Sequence, residues 1–519
     1  MHMAMRTTIM STMLALAAWS PVAAETAAAP DSASTATVMQ RIELASLEPA
    51  QGLLALAWHN PAINQYRRSF SMSEVGLSFT SRHESTALHP QQGDGEHIAA
   101  FDATTYIKHK SQTLWGRAYY NNGRIDGIEW NETSDIDIVY PYLLADSAGG
   151  KKMNVERYSF GGGYASRKGR LSWGASIGYT AGLYYRNVDP RPRNVTARLS
   201  ALAGLGYRLA GDYVGAVSLG FMKYRQSNDI AFYSELGNEK IFHLTGLVND
   251  YNRFAGSGYS TYYNGRQWST SLSLHPAGNH GFSATVAAAR LGIDNVLADL
   301  NKLPMAHTDH KTVAAEAGWL TAGWGLKAHV SATRRKGTEN VFGDPAGSVY
   351  LQIGSLDRYL DQTLALGLAG LWEKRWGNYA LMLRPSVDYS HRLTRYNDPE
   401  SHTRYNDLAG TLRLTGGATI GATIGATFST LTLGTRLVSP VESQLHLATA
   451  TSQLQGLQRL VEAEHAWLSK TRRHLEIDWA TSVKLSSRYA LRARLCWEHG
   501  IYAASITSNQ FFASTTLIF

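Results

Sequence analysis

His307-Thr308-Asp309-His310 puts two imidazoles and a carboxylate within one short stretch. A first-row metal ion could use that donor set if the fold brought in a further ligand. The stretch falls in a long polar connection and is read as a surface loop, not a metal site. The sequence has 18 histidines but one cysteine, Cys496, so it holds neither a multi-thiolate centre nor an internal disulfide. Neither a nucleophile-elbow serine nor a zinc-protease helix motif is recognised. The chain is therefore expected to be no enzyme and to carry no cofactor or metal.

A second set of chemically capable residues recurs at every other position. Arg198 and Arg208 stand on one side of their stretch, as do Lys327 and His329, and Arg384 and Asp388. Glu476, Asp478 and Lys484 do the same, followed by Arg492, Arg494 and Glu498. In 489–498 the opposite set is Tyr489, Leu491, Ala493, Leu495 and Trp497. A period of two is that of a strand. Charges confined to one face fit a sheet whose other face meets hydrocarbon, where an ion would cost roughly 2–4 kcal/mol. These twelve charged or titratable residues are thus expected to line a lumen. Facing opposite charges there would pair and stiffen the wall, whereas a cationic ladder would guide anionic solutes.

The elements needed to position them are long antiparallel strands. Alternation begins near Phe70 and persists to Phe519. Short connections near 109–112, 167–170, 210–212, 276–280, 321–323, 375–378, 416–427 and 486–488 alternate with long ones. The long ones lie near 84–95, 125–154, 187–192, 227–255, 292–310, 336–359, 393–404, 438–472 and 500–507. Nine hairpins make about eighteen strands, and the short/long rhythm is that of periplasmic turns and extracellular loops. Trp115, Trp173, Tyr207, Tyr213, Trp319, Trp324, Trp372, Trp376, Tyr379 and Tyr489 gather at the short-turn ends, where an interfacial girdle belongs. A Gly-Ala-Thr-Ile duplication at 417–427 either extends a strand or lengthens a turn. The fold class is all-β: a transmembrane antiparallel β-barrel.

Both ends of the chain agree. Arg6, an apolar run over 10–19 and Pro21-Val22-Ala23-Ala24 before Glu25 form a secretory leader with a cut after Ala24. The last strand carries Phe511, Leu517 and the terminal Phe519, which resembles the signal read by the outer-membrane barrel assembly machinery. The expected layout is a signal peptide at 1–24, an N-terminal periplasmic or plug segment at 25–68 and the barrel at 69–519. A formal charge of +8 is scattered along the strands, so nucleic acid is not an expected partner and outer-membrane lipids are.

Asn60-Pro61-Ala62, followed by Tyr66, Arg67 and Arg68, stands just before the first strand. The motif resembles the hatch region of FadL-type fatty-acid transporters, although no acidic pair precedes Asn60 and no glycine follows Ala62. Over most of its length the chain resembles a domain-of-unknown-function family of outer-membrane barrels in Bacteroidota. There a Tyr/Arg cluster and a Ser-rich first strand follow the same motif, as in Ser69-Phe70-Ser71-Met72-Ser73-Glu74 here. That resemblance implies a location and a fold but no activity. The expected function is solute passage or uptake across the outer membrane. The alternative is a non-conducting accessory barrel that docks with a TonB-dependent receptor, a surface lipoprotein or a secretion partner.

Overall fold

The computed structural model describes residues 36–47, 53, 55–147, 151–234, 240–256, 260–278, 280–347, 349–421, 425–503 and 506–519. The expected cut after Ala24 lies outside them. Eighteen strands form one antiparallel sheet that closes on itself. They are β1 (Met72–Glu84), β2 (Gly95–His109), β3 (Gln112–Ile128), β5 (Lys151–Lys168), β6 (Leu171–Tyr185), β7 (Arg191–Arg208), β8 (Tyr213–Ala231), β11 (Ser260–Pro276), β12 (Gly281–Leu297), β13 (Leu303–Leu320), β14 (Trp324–Phe342), β15 (Gln352–Trp376), β16 (Tyr379–Asn397), β17 (Glu400–Ile420), β18 (Thr427–His446), β19 (Arg472–Lys484), β20 (Ala490–Tyr502) and β21 (Ile506–Ile518). A small separate sheet joins β4 (Leu143–Ala145), β9 (Phe242–Gly246) and β10 (Asn249–Asp250). The helices are α1 (Val38–Ser46), α2 (Ile136–Val139) and α3 (Gln455–Leu468). None of the described helices is long and apolar enough to cross a membrane.

Closure follows from the ends of the sheet. β1 pairs with β21 from Glu74↔Ile518 to Glu84↔Ser508. Ser73 and Phe519 extend the seam by exchanging both backbone hydrogen bonds, at 2.8 and 2.9 Å. Phe511 and Leu517 point outward. The seam between β1 and β21 is thus closed, the condition for a sheet to stand in lipid.

The outer face is apolar. Leu77, Leu219 and Leu272 are 66–67 % exposed, and Leu205, Val387 and Leu495 stand out beside them. In an aqueous protein such a belt would be a large exposed apolar patch; around a closed barrel it is a lipid-facing surface. Trp173, Tyr207, Trp319, Trp324, Trp372, Trp376, Tyr379 and Tyr489 ring the short-turn rim as exposed aromatics. Trp115 does not. It shares the inward face of β3 with buried Thr113 and Asn121, while Leu114 faces out. The strand period puts it inside despite its place near a turn.

The connections at the other rim correct the expected rhythm. Those expected at 292–310, 393–404 and 500–507 shrink to 298–302, 398–399 and 503–505, because the strands continue. About 9–11 residues suffice to cross a bilayer on a tilted strand. The surplus projects into water, where polar residues on both faces look like loop in the sequence. The Gly-Ala-Thr-Ile duplication is divided: β17 runs to Ile420, and the stretch 422–424 lies outside the described residues.

Candidate functional site: the lumen and its two closures

The inward faces carry the alternating charges, and most of these are paired. Arg413 Nη2 lies 2.6 Å from Glu476 Oε2, Arg494 Nη2 lies 2.7 Å from Asp478 Oδ2, and Arg492 Nη1 lies 3.2 Å from Glu74 Oε1. His329 Nε2 is 3.3 Å from Asp388 Oδ1, and Lys327 Nζ is 3.6 Å from Glu316 Oε2. Arg198 stacks over the Tyr224 ring at 6.0 Å, and Arg384 Nε donates to Met382 Sδ. Glu498 stands beside Glu476 in register. Arg208 and Lys484 sit at the short-turn rim, Arg208 bound to the turn residue Asp212. The pairs are partly exposed; Arg494 keeps 43 % of its side-chain surface. The mid-lumen is therefore a polar, hydrated space crossed by cross-strand ion pairs. Glu476, Asp478 and Cys496 come within 4.8 Å of one another, but both carboxylates are already engaged by arginines.

The His307–His310 stretch dissolves as a donor set. It lies on β13, where His307 and Asp309 point outward and His310 points inward. His307 bonds Asp294 at 2.7 Å, Asp309 receives Arg290 at 2.7 Å, and His310 Nδ1 lies 3.4 Å from Arg335 Nη2. Residues three apart on a strand face opposite ways. Gly174-Ala175-Ser176-Ile177-Gly178 has the spacing of a nucleophile elbow, a match that the sequence reading passed over. β6 runs straight through it with no strand-to-helix turn, so no elbow forms.

The described residues between 36 and 71 lie in the short-turn mouth and against the inside of the wall. Thr37 opens α1 with a capping box, donating its N–H to Gln40 Oε1 at 2.8 Å. Val38, Met39 and Ile42 bury one helix face against Met382, Phe428 and Ile518 of the wall. The chain then passes β13, where Glu316 accepts the Leu56 N–H at 2.8 Å, and β11, where Trp58 meets the His275 ring edge-on at 4.7 Å. Asn60 is fully buried, and its Oδ1 caps the Ala62 N–H at 2.9 Å. A Cβ on Gly204 would lie 2.0 Å from that oxygen, and one on Gly174 would lie 2.6 Å from the Pro61 carbonyl. The wall is thus glycine where Asn60-Pro61-Ala62 docks. Tyr106 of β2 donates to Asn64 O at 2.8 Å and accepts the Arg68 N–H, and Lys108 Nζ holds Gln65 O. Tyr66 joins a cluster with Ile63, Val214 and Ala216.

The long-loop rim folds inward as a cap that the sequence did not announce. Trp130, Tyr142, Leu143, Phe242, Leu244, Phe254, Leu454 and Leu457 come from three different connections and share one apolar core with the wall residues Tyr224, Tyr263 and Leu291. Polar ties bind it. Arg335 donates to Tyr140 O at 3.0 Å and Asp137 O at 2.6 Å. His89 Nδ1 meets Glu464 Oε1 at 2.9 Å, and Trp467 Nε1 donates to Leu88 O at 3.1 Å. Burial lowers the pKa of His89 and raises that of Asp137, and it pushes Tyr140 up to about 12. Period-two extension of the Lys327/His329 face would have reached Arg335; the apolar Ile136-Asp137-Ile138-Val139 run was the other available signal.

Cavities lie between these closures. One of about 410 Å³ lies against the inner segment, and one of about 190 Å³ lies beneath the cap beside His89, Arg335 and Glu464.

Residues 61–519 match the profile of a family described as "Family of unknown function (DUF6850)". The chain belongs to that family. The match starts at Pro61 and so covers every barrel strand together with the last part of the inner segment. No curated protein matches this DUF6850 chain. Among solved structures it is similar to a variant of the ferric enterobactin receptor of Pseudomonas aeruginosa, at 10% identity and TM-score 0.36 over 86% of this chain and 80% of that one. It is also similar to a bacterial polysaccharide outer membrane secretin, at 10% identity and TM-score 0.36 over 87% and 98%. The ferric preacinetobactin receptor of Acinetobacter baumannii gives 10% identity and TM-score 0.39 over 86% and 80%. Likeness of this degree carries nothing about ligand or activity.

Proposed function

We propose that this DUF6850 protein sits in the bacterial outer membrane and passes a polar solute through a restricted lumen, without catalysing a reaction. The observation that carries this reading is a partly exposed, charge-bearing lumen occupied at its short-turn mouth by a segment docked on wall glycines. The apolar belt supplies the lipid contact, and the paired seam of β1 and β21 is the step the barrel assembly machinery would complete.

Conductance in planar bilayers tests the proposal. Intact protein should conduct weakly, and protein lacking residues 36–68 and carrying Arg335→Ala, with both closures released, should form stable open pores. A barrel that folds with both closures released yet stays silent would sink it.

One observation favours the second reading, docking with a surface lipoprotein or receptor. β15 pairs with β16 only from Tyr359 onward, so its outer part has β14 on one side and nothing described on the other. Leu351, Ile353 and Leu356 are exposed there. An open strand edge with apolar side chains suits strand addition by a partner. Co-purification from native membranes, lost on Ile353→Lys, would support that role.

A further inference from the structure

The outward faces of five neighbouring strands carry a row of cations at the upper edge of the apolar belt. Lys223 and Arg225 stand on β8, Arg266 on β11, Arg290 on β12, Lys311 on β13 and Arg334 on β14. They are neighbours in space: Lys223 is opposite Arg266, Arg290 is opposite Lys311, and Lys311 is opposite Arg334. We propose that this row binds the phosphates of a lipid headgroup in the outer leaflet. The inference rests on the placement of the barrel in an outer membrane and not on solute passage.

Like charges directly across two strands destabilise a sheet unless an opposite charge comes between them. Two carboxylates, Asp294 and Asp309, stand within the row. Asp294 is engaged by His307 at 2.7 Å, and Asp309 is shared between Arg290 at 2.7 Å and Lys311 at 3.5 Å. Arg290 and Lys311 still expose 67 % and 57 % of their side chains. Arg225, Arg266 and Arg334 are exposed and make no salt bridge among the described residues. The row therefore presents more positive charge than its own carboxylates offset. Guanidinium and ammonium groups pair with phosphate, and basic clusters beside the hydrocarbon boundary hold anionic headgroups.

The height of the row selects a lipid. Lys223, Arg266, Arg290, Lys311 and Arg334 stand nine or ten positions from the short-turn ends of their strands. At a rise of about 3.3 Å per residue and a tilt of about 40°, that is about 25 Å, the height of the apolar band of an outer-membrane barrel. The cations thus meet the headgroups of the far leaflet. Below them on the same strands Leu219, Leu272, Val286 and Val313 are exposed, a surface for the acyl chains of the same lipid. The row is also confined to one side. At the same height the outward residues are Ala181 on β6, Leu199 on β7, Tyr389 on β16 and Leu437 on β18. An interfacial girdle would ring the barrel, whereas this sector marks a site.

Titration of the full-length protein in detergent with diphosphoryl lipid A or with phosphatidylethanolamine, followed by native mass spectrometry, tests this. Lipid A should be retained and phosphatidylethanolamine, whose ammonium offsets its own phosphate, should not. Arg266→Gln/Lys311→Gln/Arg334→Gln should weaken lipid A binding about a hundredfold, at roughly fivefold for each charge near a lipid surface. Lys168→Gln/Arg170→Gln/Arg488→Gln, the same loss of charge at the short-turn rim, should leave binding unchanged. Arg334→Glu sets a carboxylate opposite Lys311, should weaken binding about tenfold or more, and carries the test if the triple variant does not fold. Equal retention of the two lipids, equal losses in both triple variants, no loss in the row variants, or displacement of lipid A by an equal concentration of inorganic phosphate would overturn the proposal. A barrel that conducts once its closures are released, but shows no preference for lipid A, keeps the passage reading and rejects this site. Preference for lipid A in a barrel that never conducts does the reverse.

Discussion

The two mouths of this barrel are occupied by different physics. At the short-turn end one N-terminal segment lies along the wall, fitted by backbone approach at Gly174 and Gly204 and by hydrogen bonds from Tyr106. At the extracellular end several separate connections converge on a shared apolar core, tied down by Arg335 and by the His89–Glu464 pair. The first depends chiefly on shape, with the Glu316 carboxylate and the Lys108 ammonium as charged contacts, and the second on charge as well as burial. An added methyl group on the wall should therefore act on the segment alone, whereas loss of Arg335 should act on the cap.

Each arm of that contrast can be broken separately. Gly174→Val should have the largest effect, because its Cβ meets backbone atoms of Pro61 that cannot swing aside. Overpacking of about 1–3 kcal/mol shifts docked against undocked segment by roughly 5- to 150-fold. Single-channel conductance should rise, while proteolytic cleavage of the cap stays unchanged. Arg335→Ala should release the cap at a cost of about 3 kcal/mol, since two charged hydrogen bonds to carbonyls are lost together. Limited proteolysis within 129–147 should accelerate with conductance through the segment unaltered.

A gentler test uses pH. Burial holds the folded pKa of His89 below its unfolded value of about 6.5, so between the two the released loop binds more protons. The share of cap stability that His89 supplies should be full above about pH 6.5 and decline as pH falls towards the folded pKa, while Asp137, raised by burial, acts in the opposite sense. Hydrogen exchange in α3 should quicken on acidification, and His89→Gln should flatten the response. The smallest energetic effect belongs to the wall between the mouths. Asp478→Asn neutralises the partner of the half-exposed Arg494 and should cost no more than about 1 kcal/mol. In the segment-deleted barrel it should still move the reversal potential towards anion selectivity.

The barrel itself was legible because lipid on one side and water on the other impose a period of two that no loop imitates for long. The same period puts Arg198, Lys327, His329, Arg384, Asp388, Glu476, Asp478, Arg492 and Arg494 on the face opposite the exposed apolar residues. It would also have separated His307 from His310 and turned Trp115 inward had it been applied at the strand ends. There, strands that leave the membrane lose the apolar face that marks them, and 393–404 reads as loop although β16 and β17 run almost to their shared turn. The cap was illegible for another reason. Trp130, Phe242 and Leu457 are far apart in sequence and meet only because a barrel brings their connections together. The Asn60-Pro61-Ala62 motif pointed to an entry segment, but its receptors are glycines, whose contribution is the absence of a side chain.

The path of that segment has a consequence for the size of the pore. Starting beside β18 and β19, it passes β14, β13, β11, β7, β6 and β2 before becoming β1, so it runs round the inside of the sheet like a hoop within a cask. A hoop touches its cask all round, so the segment narrows the lumen from every side and not from one, and displacing it widens the whole mouth.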